Sequence, residues 1–224
     1  MTTRTDSADS ATAVLFDVDG TLMDSVYQHV MAWWEAFADA GHAVSAYDIH
    51  RTIGRAAEDL VEALLAHEDE RVVEGHSQGW GAVRDRTTAF AKVPELLRHC
   101  ATRDIRVVLC TSGAGEDLEH FVRAIGGDDP VHAIVSSEDV EESKPSPQIV
   151  HKALEAAGVP AARAVMVGDT TFDMQAAAGA GVRGIGVLCG GISEAELRAA
   201  GAEAVYPDPA ALLAHLEDWL PARG

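Results

Sequence analysis

The chain has 224 residues, of which 47% are hydrophobic, and carries a formal net charge of −19. A chain of this length can bury a full core and fits one main domain with a small insertion. The excess of acidic residues excludes binding to nucleic acid, whose phosphates require a basic surface, and argues against binding to anionic membranes.

Three cysteines, Cys100, Cys110 and Cys189, are an odd number without metal-ligand spacing. This usage indicates a protein of the reducing cytoplasm. Residues 1–11 are polar and lack the apolar segment of a signal peptide, so we expect a disordered tail there. No run of about twenty apolar residues occurs, which predicts no transmembrane span.

The first predicted strand, at residues 13–16, runs directly into Asp17-Val18-Asp19-Gly20-Thr21. Because apolar strand residues bury themselves, Asp17 and Asp19 lie at the carboxyl end of a strand, where open α/β sheets bind ligands. Two carboxylates this close repel each other, which costs free energy. A cation, or the counter-ion of an anionic ligand, would offset this repulsion.

Residues 24–92 show no convincing strand pattern and predict a helical insert of about seventy residues. Its first helix follows the N-cap pair Asp24-Ser25 and ends at Gly41. Five apolar residues recur along it at helical spacing: Val26, Val30, Trp33, Trp34 and Phe37. We expect the two tryptophans to pack between helices of the insert rather than to form a platform for a ligand. An insert at the carboxyl end of a strand overhangs the site and is a natural lid.

From residue 94 onward, short apolar runs alternate with helical patterns. Further strands are predicted at residues 106–110, 133–135, 164–167, 184–187 and 204–206. Helices are predicted at residues 94–103, 115–125, 147–157, 172–180, 193–200 and 209–219. This pattern predicts an α/β fold, with a Rossmann-like parallel sheet flanked by helices and a small all-α cap domain inserted after the first strand. We assign residues 12–23 and 93–224 to the core and residues 24–92 to the cap.

Two further motifs at strand ends suit an anionic ligand. Thr111-Ser112-Gly113 follows the predicted strand 106–110, and its hydroxyl and loop amides can cradle an anion's oxygens. Lys144 lies between a strand and a helix; Pro145 keeps it extended and Pro147 suits the start of the helix. A lysine fixed in this way presents a point charge that neutralises a phosphoryl group.

A fourth motif, Gly168-Asp169-Thr170-Thr171-Phe172-Asp173, follows the predicted strand 164–167. Asp169 is predicted to join Asp17 around a hard cation such as Mg²⁺, which prefers oxygen ligands. Asp173 falls in the first turn of the next helix, where it interacts with the helix dipole and supports the metal ligands. Three acids, a hydroxyl and a lysine at strand ends predict a phosphoryl-transfer site.

In their order along the chain, these four motifs resemble the signature motifs of the haloacid dehalogenase-like (HAD) hydrolase superfamily. The helical insert also lies where that superfamily inserts α-helical caps, between motifs one and two. The resemblance covers about residues 14–187 and is highly specific for the superfamily, but poorly specific for the substrate.

The resemblance implies a role for each motif. Asp17 would be the nucleophile that forms an aspartyl-phosphate, and Asp19 would protonate the leaving group and then activate water. Thr111 would hydrogen-bond the phosphoryl oxygens, and Lys144 would neutralise charge on the phosphate and the nucleophile. Mg²⁺ would bind the Asp17 carboxylate, the Asp19 backbone carbonyl and Asp169, with Asp173 supporting through water.

Within the superfamily, the sequence favours a Mg²⁺-dependent phosphatase of a small phosphorylated metabolite, resembling the phosphoglycolate phosphatases. Asp19 argues against the dehalogenases, which lack this second aspartate, and the absence of lysine between residues 24 and 91 argues against phosphonatases. A sugar-phosphate mutase of the β-phosphoglucomutase type keeps all four motifs and stays open.

The stretch at residues 50–55 resembles the specificity loop of phosphoglycolate phosphatase caps. Arg51 and Arg55 could bind a carboxylate or a second phosphate of the substrate through a bidentate pair of hydrogen bonds. Alternatively, they are solvated arginines at the end of a helix. We assign substrate binding to Arg51, Gly54, Arg55 and Ser112, together with Thr111 and Lys144.

Two alternatives lie outside the superfamily's chemistry. Gly75-His76-Ser77-Gln78-Gly79 matches the nucleophile elbow of serine esterases, which requires a sharp turn from a buried strand into a helix. Residues 68–74 are too charged for a central strand, which disfavours an esterase. A non-catalytic binding protein is disfavoured because every catalytic position is filled.

Overall fold

The computed structural model describes residues 11–113 and 115–220. The predicted tail at residues 1–11 lies outside these ranges except for Ala11. The sheet is built from β1 Thr12–Phe16, β2 Ile105–Cys110, β3 Ala133–Val135, β4 Ala164–Gly168, β5 Arg183–Val187 and β6 Ala202–Tyr206. These strands form one parallel sheet in the order β3-β2-β1-β4-β5-β6. The predicted parallel α/β sheet is confirmed.

The register of the central strands sets the position of the site. Phe16, the last residue of β1, lies opposite Leu109 of β2 and opposite Val167 of β4. The Asp17 amide continues this pairing by donating to the Val167 carbonyl at 2.9 Å. Because all three strands are parallel, the residues that follow each of them meet at one edge of the sheet.

Four helices follow β1: α1 Val26–Asp39, α2 Ala46–His50, α3 Ala57–Leu65 and α4 Glu70–Val83. Seven helices accompany the remaining strands: α5 Val93–Thr102, α6 Glu116–Ala124, α7 Gln148–Ala157, α8 Thr171–Gly179, α9 Glu194–Ala199, α10 Pro209–Ala214 and α11 Leu216–Trp219. In the described part of the chain, no helix is both long and apolar enough to cross a membrane.

The last predicted helix, at residues 209–219, is broken into α10 and α11 at His215. The bend allows Trp219 to become fully buried against the edge of Phe16, with ring centroids 6.5 Å apart. The Trp219 Nε1–H also donates to the Leu212 carbonyl at 2.9 Å. Burial of a large indole ring therefore outweighs the continuity of one helix.

Alternating residues of β1 feed two apolar layers, one on each face of the sheet. Val14 and Phe16 pack on the face of α5, whereas Ala13 and Leu15 pack on the face of α7 and α8. Helices α1–α4 enclose an apolar cluster of their own: Val26, Val30, Trp33, Ala36, Phe37, Ile49, Ile53, Leu60, Val61 and Val72.

The two adjacent tryptophans of α1 have different environments. Trp33 is 3% exposed, whereas Trp34 is 44% exposed. The expectation that both pack between helices is right for Trp33 and wrong for Trp34. Consecutive residues of an α-helix are rotated by about 100°, so the two rings point to different sides of α1.

The Gly-x-Ser-x-Gly pattern lies inside α4, and its glycines face α1. A Cβ at Gly75 would lie 3.1 Å from Ala36 Cβ, and one at Gly79 would lie 3.4 Å from Ala32 Cβ. The glycines thus allow close packing of two helices. Since Ser77 is an exposed residue within a helix, the strand-to-helix turn that an esterase requires is not formed there.

Candidate active site

The ends of β1 and β4 bring three carboxylates to one lysine. Lys144 Nζ lies 2.5 Å from Asp17 Oδ1 and 2.7 Å from Asp173 Oδ1, and it donates to the Cys110 carbonyl at 3.2 Å. Asp169 follows β4 directly. No member of this group is more than 5% exposed. Residues of the first, third and fourth predicted motifs are therefore in contact or close together.

The carboxylates of Asp17, Asp169 and Asp173 each offer an oxygen, and these oxygens lie within 4.8 Å of one another. Thr21 Oγ1 donates to Asp169 Oδ1 at 2.9 Å. Asp173 Oδ2 accepts from the Thr170 amide and hydroxyl at 3.0 and 2.6 Å, in the capping box that begins α8. Local hydrogen bonds therefore fix the positions of two of the three carboxylates.

Burial and mutual repulsion disfavour the charged forms of these acids. Burial raises the pKa of Asp17 to about 7, against the lowering effect of Lys144. Burial and the charge of Asp17 raise the pKa of Asp169 well above its ordinary value. Burial alone would lower the pKa of Lys144, but Asp17 and Asp173 together raise it. One ammonium cannot balance three buried carboxylates, so this oxygen donor set suits a hard divalent cation.

Two glycines allow the loops to close around Asp169. A Cβ at Gly20 or at Gly190 would overlap the Asp169 carboxylate. Gly20 also has a φ of +85°, which side chains rarely adopt. Gly20 belongs to the first motif, whereas the role of Gly190 becomes visible only in the folded chain.

Asp19 lies apart from this cluster and is held by its own partners. Ser25 Oγ donates to Asp19 Oδ1 at 2.5 Å, and His29 Nε2 lies 3.3 Å from the same oxygen. Burial acts to raise the pKa of Asp19, but His29 and Ser25 together hold it below the ordinary value. Two side chains therefore fix the position of Asp19 Oδ1.

A cavity of about 290 Å³ opens between the strand ends and the helices α1, α3 and α4. Asp17 and Asp19 lie on its core side. Its other lining residues are His29, Trp33, Ile53, Gly54, Arg55, Ala57, Leu60, Val73, His76, Ser77, Trp80, Ser112, Gly113 and Asp117. This volume is at the small end for ligand pockets and suits a small metabolite.

The structure separates the two arginines of the cap stretch. Arg55 lines the cavity, with its guanidinium 4.6 Å above the Phe172 ring. Its buried Nε has no hydrogen-bond partner among the described residues. Arg51 does not line this cavity and instead pairs with Glu196 at 2.5 Å. The geometry thus supports Arg55 as a ligand-binding residue and gives Arg51 a different partner.

The remaining predicted binding residues lie close to the cluster. Thr111 is fully buried, and its Oγ1 accepts from the Gly113 amide at 3.0 Å. Thr111, Ser112, Gly54 and Lys144 together line a narrow space beside the main cavity. Gly54 has a φ of +104° and packs on the Thr170 side chain, so a side chain there would be strained.

The sequence did not identify most of the aromatic side chains that line the cavity. His29 and Trp33 lie one turn apart on α1, and His76 and Trp80 lie one turn apart on α4. A spacing of four residues on both helices was the available signal. It did not reveal that these two faces oppose each other.

Comparison with known proteins finds relatives in sequence and in structure. The family model described as haloacid dehalogenase-like hydrolase matches residues 14–187. Phosphoglycolate phosphatase of Rhodospirillum rubrum is 28% identical, over 93% of this chain and 90% of its own. The crystal structure of a hydrolase from Pseudomonas syringae has a TM-score of 0.88 and 33% identity, over 93% of this chain and 99% of that one. CbbY of Rhodobacter sphaeroides, solved in complex with phosphate, has a TM-score of 0.74 and 26% identity, over 91% and 96%.

Proposed function

This chain belongs to the haloacid dehalogenase-like hydrolase family, and we propose that it is a Mg²⁺-dependent phosphatase of a small phosphorylated metabolite. The observation that carries the proposal is the buried contact of Lys144 with Asp17, beside Asp169 and Asp173. Phosphoryl transfer depends mainly on positioning and charge neutralisation, which such a group supplies. The related phosphoglycolate phosphatase supports the same class of activity.

Asp17 is the proposed nucleophile because its carboxylate lines the cavity at the end of the central strand. Its attack on phosphorus forms an aspartyl-phosphate and releases an alcohol. Water then attacks the phosphorus of this intermediate, which releases phosphate and restores Asp17. Lys144 holds Asp17 and neutralises charge as the phosphoryl group arrives, and the hydroxyls of Thr111 and Ser112 bind the phosphoryl oxygens.

Asp19 is the proposed acid and base. In its protonated form it gives its proton to the leaving oxygen and becomes a carboxylate, and this carboxylate then takes a proton from the attacking water, which restores the acid. Its position supports this role, since it faces the same cavity and is not part of the buried carboxylate cluster.

Asp17, Asp169 and the Asp19 backbone carbonyl would hold Mg²⁺, with Asp173 assisting through water. When bound, this ion supplies charge neutralisation and orientation for the phosphoryl group. The buried, mutually repelling carboxylates support the assignment, because a divalent cation would relieve their repulsion. Thr21 and Thr170 orient two of the ligands.

The proposed substrate carries a second anionic group, which Arg55 binds. An arginine fork with an unused, buried Nε is suited to a carboxylate or phosphate. Among the described residues that line this cavity, Arg55 is the one arginine, and none is a lysine. A mutant of CbbY, 25% identical to this chain, was solved with xylulose-(1,5)bisphosphate, a ligand with two phosphates.

We further propose that residues 24–92 form a cap domain over a core of residues 12–23 and 93–224. The separate apolar cluster of α1–α4 supports this division. Contacts of Arg51 with Glu196 and of His50 Nε2 with the Gly190 carbonyl, at 2.8 Å, would hold the cap against the core. The free cysteines support a location in the reducing cytoplasm.

The experiment that tests the function is hydrolysis of p-nitrophenyl phosphate with Mg²⁺ and with EDTA, followed by a panel of phosphoglycolate, sugar phosphates and bisphosphates. We expect phosphate release that requires Mg²⁺ and is absent in Asp17→Asn. Release that ignores EDTA would contradict the proposal. Conversion of a sugar phosphate into its isomer without phosphate release, followed by ³¹P NMR, would instead indicate the mutase.

A further inference from the structure

His29 joins the proposed acid and base to a second histidine. Its Nε2 lies 3.3 Å from Asp19 Oδ1, and its Nδ1 lies 3.1 Å from His76 Nε2. The three side chains therefore form a continuous hydrogen-bonded chain from Asp19 into the helical insert. His76 does not contact Asp19 itself and acts on it only through His29.

Stacked rings hold this chain in place. The rings of His29 and Trp80 stack with centroids 3.7 Å apart and planes 21° apart. Those of His76 and Trp33 stack at 3.7 Å and 6°. Each pair joins α1 to α4, so neither histidine can turn without disturbing both helices.

Small residues allow the two helices to approach closely enough for this stacking. Gly75 and Gly79 face Ala36 and Ala32, as described above. The glycines of the Gly-x-Ser-x-Gly pattern thus have a structural purpose, which is to bring His76 of the same pattern within hydrogen-bond distance of His29.

The surroundings of His76 and Asp19 set the state of the two ends of this chain. Burial, with a smaller effect of His29, lowers the pKa of His76 to about 2, so His76 is neutral. Asp19 Oδ1 accepts from Ser25 and also accepts the Nε2–H of His29, which leaves Oδ2 to carry the proton for the leaving group. His29 Nδ1 and His76 Nε2 lie within hydrogen-bond distance, so one of these two nitrogens donates and the other accepts.

We propose that His76 is a positioning residue for the reaction: it sets the tautomer and ring orientation of His29, and His29 in turn aims Asp19 at the leaving group. The inference rests on the proposed phosphatase function. Protonation by Asp19 matters for a poor leaving group and little for a good one. Loss of His76 should therefore slow the enzyme according to the leaving group of the substrate.

The test compares phenyl phosphate with p-nitrophenyl phosphate, which differ little in shape but whose leaving groups differ in basicity. The measured quantity is kcat/KM with Mg²⁺, which includes the step in which the leaving group departs. For His76→Phe, which retains an aromatic ring against Trp33, we expect a loss of about tenfold or more with phenyl phosphate and less than about threefold with p-nitrophenyl phosphate.

His76→Gln, which can donate a hydrogen bond, should recover most of the loss. The exposed His99→Phe on α5 is the matched control and should change neither rate.

Equal losses with both substrates, or no loss with either, would overturn the inference while leaving the phosphatase function intact. If the wild type hydrolyses neither of these two substrates and no phosphate of the wider panel, the proposed function fails and the inference fails with it. ¹⁵N NMR of the wild-type imidazoles tests the same point without a variant. We expect a neutral His76 at pH 7 that shares one hydrogen-bonded proton with His29 Nδ1, and a doubly protonated His76 at pH 7 would refute the assignment.

Discussion

Lys144 Nζ lies 2.5 Å from Asp17 Oδ1, although 127 residues separate the two in the chain. Both side chains are almost completely buried. Burial disfavours each charge alone, and the contact compensates both. Lys144 thereby holds the Asp17 side chain in place at the point where the sheet opens into the cavity.

Replacing Asp17 by Asn should remove turnover without unfolding the protein. The amide keeps the shape of the side chain but cannot form the acyl phosphate, so we expect kcat to fall by at least about 10³-fold. Steady-state phosphate release checks the rate, and a thermal melt checks the fold. The exposed Asp24→Asn, on the same connection, is the control and should retain full activity. A kcat near the wild-type value in Asp17→Asn would show that another group is the nucleophile.

Arg55 and Arg51 form a matched pair for testing substrate recognition. Removing Arg55 takes away a partly buried side chain that lines the cavity, and we expect Arg55→Ala to raise KM by about 10- to 100-fold for a substrate with a second anionic group. Arg51 has a partially exposed ion pair with Glu196, so Arg51→Ala should change KM by less than about threefold. Equal effects in the two variants would contradict the separation seen in the cavity.

Gly190→Ala should weaken the proposed metal site, although Gly190 is not itself a metal ligand. The added Cβ would overlap the Asp169 carboxylate, which must then move. We expect Mg²⁺ affinity, measured by isothermal titration calorimetry, to fall by about 10- to 100-fold. Gly81→Ala on α4 is the control, because a Cβ there meets nothing within 4 Å. Unchanged affinity in Gly190→Ala would mean that Asp169 does not hold the ion.

His76 should make the stability of the wild type depend on pH. Its pKa is about 2 in the folded protein and 6.5 ordinarily, so below pH 6.5 the unfolded chain binds a proton that the folded protein excludes. The free energy of unfolding of the wild type should therefore fall, relative to His76→Phe, by up to about 1.4 kcal/mol per pH unit below 6.5. Urea denaturation at pH 7, 6 and 5 measures the difference. Parallel losses in the two proteins would show that His76 is protonated in the folded state.

The positions of Asp17, Thr111 and Asp169 could be predicted from the sequence because each follows an apolar run. Parallel βα units place the carboxyl ends of all strands at one edge, so residues that are distant along the chain converge there whatever the details of packing. The same argument predicted the sheet, which the structure confirms. The helical insert was also predictable, since its pattern differs from that of the rest of the chain.

Only the tertiary structure decided how the cavity is completed. Which sides of α1 and α4 oppose each other depends on how two helices cross, and no periodicity within one helix contains that information. For this reason the contact of His29 with His76, and the burial of Trp33 rather than Trp34, appear only after folding. The partner of Arg51 and the approach of Gly190 to Asp169 depend on loops that meet across the fold. The sequence alone thus determined which residues lie at the strand ends, because backbone topology sets their positions, whereas side-chain packing decided which residues line the cavity.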